Sequence, residues 1–274
     1  MQRHGVGRIY IHYFDVNLSV DEVVPEATVR FKQTPAEGLE VVPTVYITTD
    51  AMREITRQTG MDEGNENTPY DYASRIVKRV IAMSTHNHIT GVNEVQVDCD
   101  WTLSTRQAYF YLLANMRDLL HRQGMALNVT VRLHQLRETV LPPADMGVLM
   151  LYNTGNLMSE KTHNSILDIN DVKPYFKPGT HYDLPLDFAY PVFGWNVCYR
   201  GGKFLMLASP QSSVPDDCTV RHEQPDFATI KQVKQLAESA LGADQNYSTI
   251  IFHLDKQFLN LYSNEEMEHV FGTR

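Results

Sequence analysis

Two aspartates at the end of a short apolar segment are the residues in this sequence whose types and spacing best suit chemistry. Asp98 and Asp100 close the run from Glu94 to Trp101, directly before a well-marked helical pattern. Side chains two positions apart on a strand share a face, so we expect the pair to project together. Neighbouring carboxylates repel each other, which favours keeping one of them protonated, and acid/base catalysts use this arrangement. The alternative is that one aspartate caps the helix while the other pairs with an arginine or a backbone amide.

The segments that must position this pair alternate between strands and helices. The apolar patterns predict strands at 8–14, 27–31, 41–47, 94–98, 127–133, 148–152, 184–188 and 248–253. They predict helices at about 70–84, 102–124, 227–241 and 264–271, and a hairpin over 196–209 that turns at Gly201 and Gly202. We expect Thr102 or Ser104 to cap the second of these helices and Gly124 to end it. Residues 60–69 are rich in glycine, asparagine and acids, which predicts a solvated loop.

The predicted strands are almost continuously apolar, as the strands of a buried parallel sheet must be. Their number and the length of 274 residues predict an α/β protein formed by one (β/α)8 TIM barrel over residues 1–274, with some helices short or missing. An open doubly wound sheet is the alternative. It is disfavoured because no glycine-rich phosphate turn follows a strand, and Gly5 and Gly7 precede the first one.

Composition argues against several classes of function. A formal net charge of −9, with no cluster of lysines and arginines, argues against nucleic-acid binding. No stretch is long and apolar enough to cross a membrane. The three cysteines lack a CxxC spacing and the eleven histidines lack a metal-ligand spacing, so we expect no metal and no cofactor, while one disulfide stays open. No signal peptide is visible, but a leader is removed from mature exported proteins, so the compartment stays open.

If the fold is a TIM barrel, ligand chemistry lies at the C-terminal ends of the strands. Acids, amides and aromatic rings converge there, and this combination suits a sugar, because aromatic rings pack on apolar sugar faces while carboxylates and amides bond the hydroxyls. The candidate residues are Tyr13, Asp98, Asp100, Trp101, Arg132, His134, Tyr152, Asn153, Asp187 and Trp195. For Tyr13 the alternative is a packing role in the barrel. Arg132 could instead neutralise an aspartate, lower its pKa and so remove it as an acid.

Three motifs resemble segments of the family 18, chitinase-like, glycoside hydrolases. The acidic strand is similar to the fourth-strand signature of that family, in which spaced acids end in a catalytic glutamate. The segment from Met150 to Asn153 resembles its Met-x-Tyr-Asp/Asn motif two strands later, and the segment from Tyr190 to Trp195 resembles its Pro-x-Tyr-Gly motif. The resemblance covers about residues 90–196. It implies a glycosidase-like TIM barrel, an oligosaccharide or glycan partner and an extracytoplasmic location, although three cysteines with no evident pairing weigh against that location.

The sequence departs from the family at the catalytic position. The family's glutamate, which protonates the leaving oxygen, lies two positions beyond the last aspartate, and here that position is Thr102. A hydroxyl group cannot act as this general acid. The resemblance therefore leaves Asp98 and Asp100 in supporting acid positions, and Tyr152 and Asn153 at positions of substrate contact.

Several functions stay open at this point. The chain could be a glycoside hydrolase with Asp100 as the acid, its pKa raised by Asp98 and by packing of Trp101, and with a second carboxylate as partner. The candidate partners are Glu138, Asp187 and Asp255. The alternative is a glycan-binding barrel that has lost the general acid. A glycosidase-like barrel with an unrelated chemistry and a scaffold with a vestigial barrel mouth are further alternatives. The sequence does not fix the oligomeric state.

Overall fold

The structure, a computed structural model, describes residues 6–59, 68–241 and 246–271. It divides into two compact units. The first comprises Met1–Thr130 and Val140–Gly147, and the second comprises Val131–Thr139 and Val148–Arg274. Most of the loop predicted at 60–69 lies outside the described residues. The prediction of a single domain stays a prediction.

The first unit combines parallel strands with helices. Its elements are β1 (Arg8–Ser19), β2 (Glu22–Glu26), β3 (Glu40–Ile47), α1 (Thr49–Thr59), α2 (Pro69–His86), β4 (Glu94–Cys99), α3 (Arg106–His121) and β5 (Ala126–Arg132), whose last two residues belong to the second unit. The strand order is β2-β1-β3-β4-β5. Strands β1, β3, β4 and β5 pair in parallel, and β2 runs antiparallel to β1.

Local sequence explains the two long helices of this unit. Helix α2 begins with a capping box, in which Thr68 and Asp71 bond each other's backbone N–H groups, and Pro69 occupies its first turn. Helix α3 buries Tyr109, Leu112, Leu113, Met116 and Leu120, the stripe expected from the helical repeat. Gly124, with φ of 72°, follows α3 in the left-handed conformation that glycine adopts without strain. Both helices were predicted.

The second unit contains two sheets. Its elements are β6 (Met146–Met150, from Val148 onward), the 3-10 helices Leu133–Arg137 and Lys173–Tyr175, α4 (Ile169–Val172), β7 (Leu186–Pro191), β8 (Trp195–Arg200), β9 (Lys203–Ala208), β10 (Thr219–Glu223), α5 (Phe227–Leu241), β11 (Thr249–Phe252), α6 (Lys256–Leu259) and α7 (Asn264–Phe271). In the first sheet, the strands of this unit lie in the order β6-β7-β11, with β11 parallel to β7. The other is antiparallel with the order β10-β8-β9. The β8–β9 hairpin turns at Gly201 and Gly202, both with positive φ, as predicted.

Two local predictions were wrong, and one helix was not predicted. Residues 27–31 form no strand. The chain instead turns back after β1, with Val20 at φ 58°, and adds β2 as the second strand of a hairpin. Helix α1 was not predicted, because its buried stripe of Ala51, Met52 and Ile55 is only one turn long. Thr105, rather than Thr102 or Ser104, is the residue before α3, because residues 102–105 form a separate turn.

Two further features bear on the classes of function. Within the described ranges, no helix is both long enough and apolar enough to cross a membrane. All three cysteines are free thiols, with Cys99 and Cys198 buried and Cys218 partly exposed. The disulfide left open by the sequence is therefore not formed in this structure.

Candidate functional site

Asp98 lies at the C-terminal end of β4, where the register places it beside β5. Val97 pairs with Val129, so Asp98 and Thr130 stand one residue further along the same parallel pair. The hydroxyl of Thr130 donates a hydrogen bond of 2.6 Å to Oδ1 of Asp98. Asp98 is partly exposed, and this bond from a mostly buried neighbour orients its carboxylate.

Asp100 and Trp101 follow directly after β4 and differ in environment. Asp100 is exposed, whereas Trp101 is buried against the start of α3. The indole of Trp101 stacks on Tyr109 at 6.3 Å between ring centroids and meets the edge of Phe110 at 5.4 Å. The strand end thus presents one accessible carboxylate next to a ring that α3 holds in place.

Thr102 occupies the position where the resembling family carries its glutamate. The backbone N–H of Thr102 donates to Oγ1 of Thr105 at 2.9 Å, and its own hydroxyl lies 2.9 Å from that of Ser104. Thr102 is exposed, and its side chain takes part in the turn that leads into α3. It offers hydrogen bonds but no ionisable acid.

The second unit contains a cleft of about 490 Å³ whose lining includes five aromatic or imidazole rings. We call it the aromatic cleft and define it by Asn153, Phe193, Trp195, Phe252, His253 and Phe258. Such a volume lies within the range of small-molecule sites. Two of these residues, Asn153 and Trp195, were predicted as substrate contacts.

Two rings of the aromatic cleft, Phe193 and Phe252, pack against each other and against Tyr152. Tyr152 stacks face to face on Phe252, with centroids 4.6 Å apart and planes 3° apart. Phe193 presents its edge to both rings, at 6.1 Å from Tyr152 and 5.6 Å from Phe252. Phe252 is 40% exposed, a high value for a phenylalanine in such a stack. Its outer surface is therefore available to a ligand ring.

Asn153 follows Tyr152 in the left-handed backbone conformation, with φ of 55°. Asparagine tolerates this region better than most residues, because its short polar side chain can bond locally. The conformation re-aims the chain after β6, so that Asn153 lines the aromatic cleft while Tyr152 packs behind Phe252.

A buried polar network holds Trp195. The indole Nε1 donates to Oε2 of Glu223 at 2.8 Å, and Nε of Arg221 donates to Oε1 of the same carboxylate at 2.6 Å. The hydroxyl of Ser165 also bonds Oε2. The side chain of Glu223 has no exposed surface, so Arg221 provides the charge that its burial requires.

Four other predicted contacts, Tyr13, Arg132, His134 and Asp187, are not among the residues that line the aromatic cleft. Tyr13 is completely buried in the first unit, where its hydroxyl meets that of Ser84 at 3.1 Å, and burial raises the pKa of this tyrosine. Asp187 is buried in β7 and accepts the backbone N–H of Ser248 at 2.5 Å. Arg132 directly precedes a 3-10 helix, and His134 is exposed on it.

The candidate partner carboxylates occupy separate places in the second unit. Asp255 caps α6 by accepting the N–H of Gln257 at 2.9 Å. Glu138 lies near Tyr182, whose pKa is raised to about 12 by burial first and by this negative charge second. Asp187 accepts a hydrogen bond from the backbone N–H of Ser248. A cavity shared by the aspartates of the first unit and the Tyr152–Asn153 pair stays a prediction.

Sequence reasoning missed Phe252 and Glu223. Phe252 could have been found, because it ends the last strand, where a barrel places its ligand contacts. Glu223 carried no local signal, because its partner Trp195 is 28 residues away. Among the described residues, no group of three or more His, Cys, Asp or Glu side chains could hold a metal ion.

Comparison with solved structures finds similar folds. The spore cortex-lytic enzyme SleL of Bacillus megaterium is 13% identical with a TM-score of 0.59, over 97% of this chain and 68% of that one. The family 18 chitinase ChiB of Flavobacterium johnsoniae is 13% identical with a TM-score of 0.55, over 90% of this chain and 80% of that one. The family 18 chitinase of Cycas revoluta, solved with (GlcNAc)3, is 11% identical with a TM-score of 0.53, over 93% and 90%.

These likenesses show the fold. The chain has the α/β TIM-barrel fold of chitinase-like proteins, which confirms the predicted fold class and the family resemblance at the level of structure. No protein-family profile and no curated protein sequence matches the chain.

Proposed function

We propose that this chain acts on carbohydrate, as a glycoside hydrolase-like barrel whose aromatic cleft binds an oligosaccharide. The observation that carries the proposal is the aromatic cleft, in which Trp195 and the exposed ring of Phe252 lie beside the amide of Asn153. Aromatic rings pack on the C–H faces of sugars, and an amide bonds their hydroxyls. The fold supports this assignment, because the similar structures include chitinases and a spore cortex-lytic enzyme.

For hydrolysis we assign Asp100 as the general acid and Asp98 as the supporting carboxylate. Asp100 is exposed, so its proton can reach a leaving oxygen, and Asp98 is held by Thr130. Tyr152 and Asn153 orient the sugar in this mechanism. Further contacts are assigned to four residues, namely Trp101, Arg132, His134 and Trp195. Tyr13 and Asp187 are buried, and we assign them the support of neighbouring strands instead of a sugar contact.

A second function is glycan binding without cleavage. It is favoured by Thr102, which stands where the resembling family has its glutamate and whose hydroxyl takes part in a turn. This function uses the same aromatic cleft but no general acid. The two functions differ in whether new reducing ends appear.

The test combines binding with turnover. Chitotriose and chitohexaose, together with cello- and xylo-oligosaccharides of similar length, are titrated by calorimetry and then incubated for days in an assay for reducing ends. We expect saturable binding of at least one series and loss of affinity by tenfold or more in Trp195→Ala and Phe252→Ala. Tyr111→Ala is the matched control, because Tyr111 is 54% exposed on α3 in the other unit.

Turnover is tested by Asp100→Asn, with the exposed Asp118→Asn on α3 as control. If Asp100 is the acid, Asp100→Asn abolishes release of reducing ends, while the free energy of unfolding changes by less than about 0.5 kcal/mol, as for other surface substitutions. Binding without turnover in the wild type establishes the second function. If no oligosaccharide binds saturably, the carbohydrate assignment is wrong.

A further inference from the structure

A second cavity lies in the first unit, between the segment after β2 and one face of α2. It has a volume of about 650 Å³. We call it the basic groove and define it by Arg30, Phe31, Lys78, Arg79, Met83 and His86. The helical positions that line the groove recur every four residues, at 78, 82 and 86 and at 79, 83 and 87. They therefore form one continuous face of the helix.

Both walls of the basic groove are fixed to the rest of the unit. The backbone N–H of Val29 donates to the carbonyl of Tyr13 at 2.8 Å, and the ring of Phe31 meets the edge of Tyr13 at 5.7 Å. On the opposite wall, Nη2 of Arg79 donates to Oγ1 of Thr28 at 2.9 Å. These contacts tie the segment to β1 and to α2, so the cavity between them is pre-formed.

The charge of the basic groove is opposite to that of the chain. The chain carries a formal charge of −9. The described residues that line the groove nevertheless include Arg30, Lys78, Arg79 and His86 and no acidic side chain. Within the described ranges, no carboxylate forms an ion pair with Arg30, Lys78 or Arg79. Three permanent cations therefore share one cavity, and none of them is ion-paired with a carboxylate of the described residues.

Arg79 is the pre-organised member of this set. Its guanidinium lies 5.0 Å from the centre of the Phe14 ring, which holds the planar group in place together with Thr28. Its Nε is buried and has no hydrogen-bond partner among the described residues. A guanidinium held in place in this way binds oxyanions well, because its planar fork matches their geometry.

We propose that the basic groove binds a small phosphorylated molecule. A phosphate monoester carries a charge of about −1.5 to −2 near pH 7, which suits several cations better than a single carboxylate does. The apolar walls formed by Val29, Phe31, Ala82 and Met83 receive the non-phosphate part of the ligand. The volume is that of ordinary small-molecule sites. The inference uses no residue of the proposed carbohydrate site.

The test adds phenyl phosphate, inorganic phosphate and benzoate separately to the full chain. Binding of each probe is measured by amide NMR and by calorimetry. We expect saturable binding of phenyl phosphate, with shifts confined to residues 28–31 and 78–87. We expect its Kd to be at least tenfold lower than that of benzoate and lower than that of inorganic phosphate. Raising the salt concentration should weaken binding, because the attraction is electrostatic.

Three variants decide which residues are responsible. Lys78→Gln and Arg79→Gln should each raise the Kd for phenyl phosphate at least fivefold, whereas Arg122→Gln, at an exposed arginine after α3, should not change it. If Arg79→Gln fails to fold, the exposed Lys78 and Arg30 decide through their glutamine variants. The proposal is wrong if phenyl phosphate does not saturate, if its shifts lie elsewhere, if benzoate binds equally well, or if Arg122→Gln weakens binding as much as the groove variants do.

Discussion

The indole nitrogen of Trp195 donates a hydrogen bond of 2.8 Å to Glu223, a carboxylate with no exposed side-chain surface. The same carboxylate accepts a bond from Arg221 at 2.6 Å and another from Ser165. A ring that lines the aromatic cleft is thus held by a buried ion pair on the neighbouring strand β10. Such an arrangement fixes the angle of the ring before any ligand arrives, which reduces the ordering cost of binding.

Removing the charge of Glu223 should therefore affect both stability and the cleft. In Glu223→Gln, Arg221 loses the negative charge of its ion-pair partner while 84% of its side chain remains buried, since 16% is exposed in the native fold. We expect the free energy of unfolding to fall by about 3 kcal/mol, measured by urea denaturation, together with a red shift of tryptophan fluorescence. Glu268→Gln, at an exposed position of α7, is the control and should leave both unchanged. Wild-type stability in Glu223→Gln would show that the ion pair does not hold the cleft.

Gly194 should tolerate no side chain. A Cβ at this position would lie 2.8 Å from the backbone carbonyl oxygen of Glu223, and backbone atoms cannot yield as a flexible side chain can. We expect Gly194→Ala to lower the free energy of unfolding by about 1–3 kcal/mol, as overpacking does, and to disturb Trp195. Gly7→Ala is the matched control, because no heavy atom lies within 4 Å of its Cβ position. Equal melting temperatures for the two variants would contradict the close approach.

Asp145 should stabilise the folded state near neutral pH, and this stabilisation should be lost at low pH. Burial acts to raise its pKa, but hydrogen bonds from the Leu127 N–H, His121 and Arg117 outweigh burial, and the pKa is lowered. A carboxyl group whose pKa is lower in the folded state stabilises the fold above its unfolded pKa of about 3.9. That contribution is lost as the pH falls through the folded pKa.

The measurement is chemical denaturation of the wild type and of Asp145→Asn from pH 7 to pH 2. We expect the wild type to be more stable at pH 5–7 and the difference to shrink steadily below about pH 4. The exposed Asp118→Asn should show no comparable pH dependence. A difference that stays constant down to pH 2 would mean that the carboxylate charge of Asp145 is not the source of its contribution.

The hydroxyl of Thr130 should stabilise the fold through its hydrogen bond to Asp98. Thr130→Val keeps the shape of the side chain but removes the donor of the 2.6 Å bond to Asp98. We expect a loss of about 1.5 kcal/mol in the free energy of unfolding, the lower end for a bond to a charged group. If the chain is a hydrolase, turnover should fall in parallel. Thr219→Val, at an exposed position of β10, should change neither quantity, and an equal loss there would remove Asp98 from the explanation.

The fold was largely predictable because its signals are local. Helix α3 follows from apolar residues at helical spacing, and Gly124 marks its end. The core strands follow from short apolar runs, and the hairpin turn follows from Gly201 and Gly202. Residue spacing did not predict the structure of segments whose conformation depends on contacts with distant parts of the chain. Strand β2 exists because the chain turns back on β1, and residues 28–31 instead form a wall of the basic groove.

By itself, the sequence determined the alternation of strands and helices, the two aspartates at the end of β4, and the place of Trp195 and Asn153 near strand ends. Only the tertiary structure decided what these residues touch. Glu223 reaches Trp195 across 28 residues, and Thr28 meets Arg79 across 51. The physical reason is that residue spacing fixes which face a side chain occupies within its own element. The contacts between elements depend on strand register and packing, which arise only when distant segments are brought together.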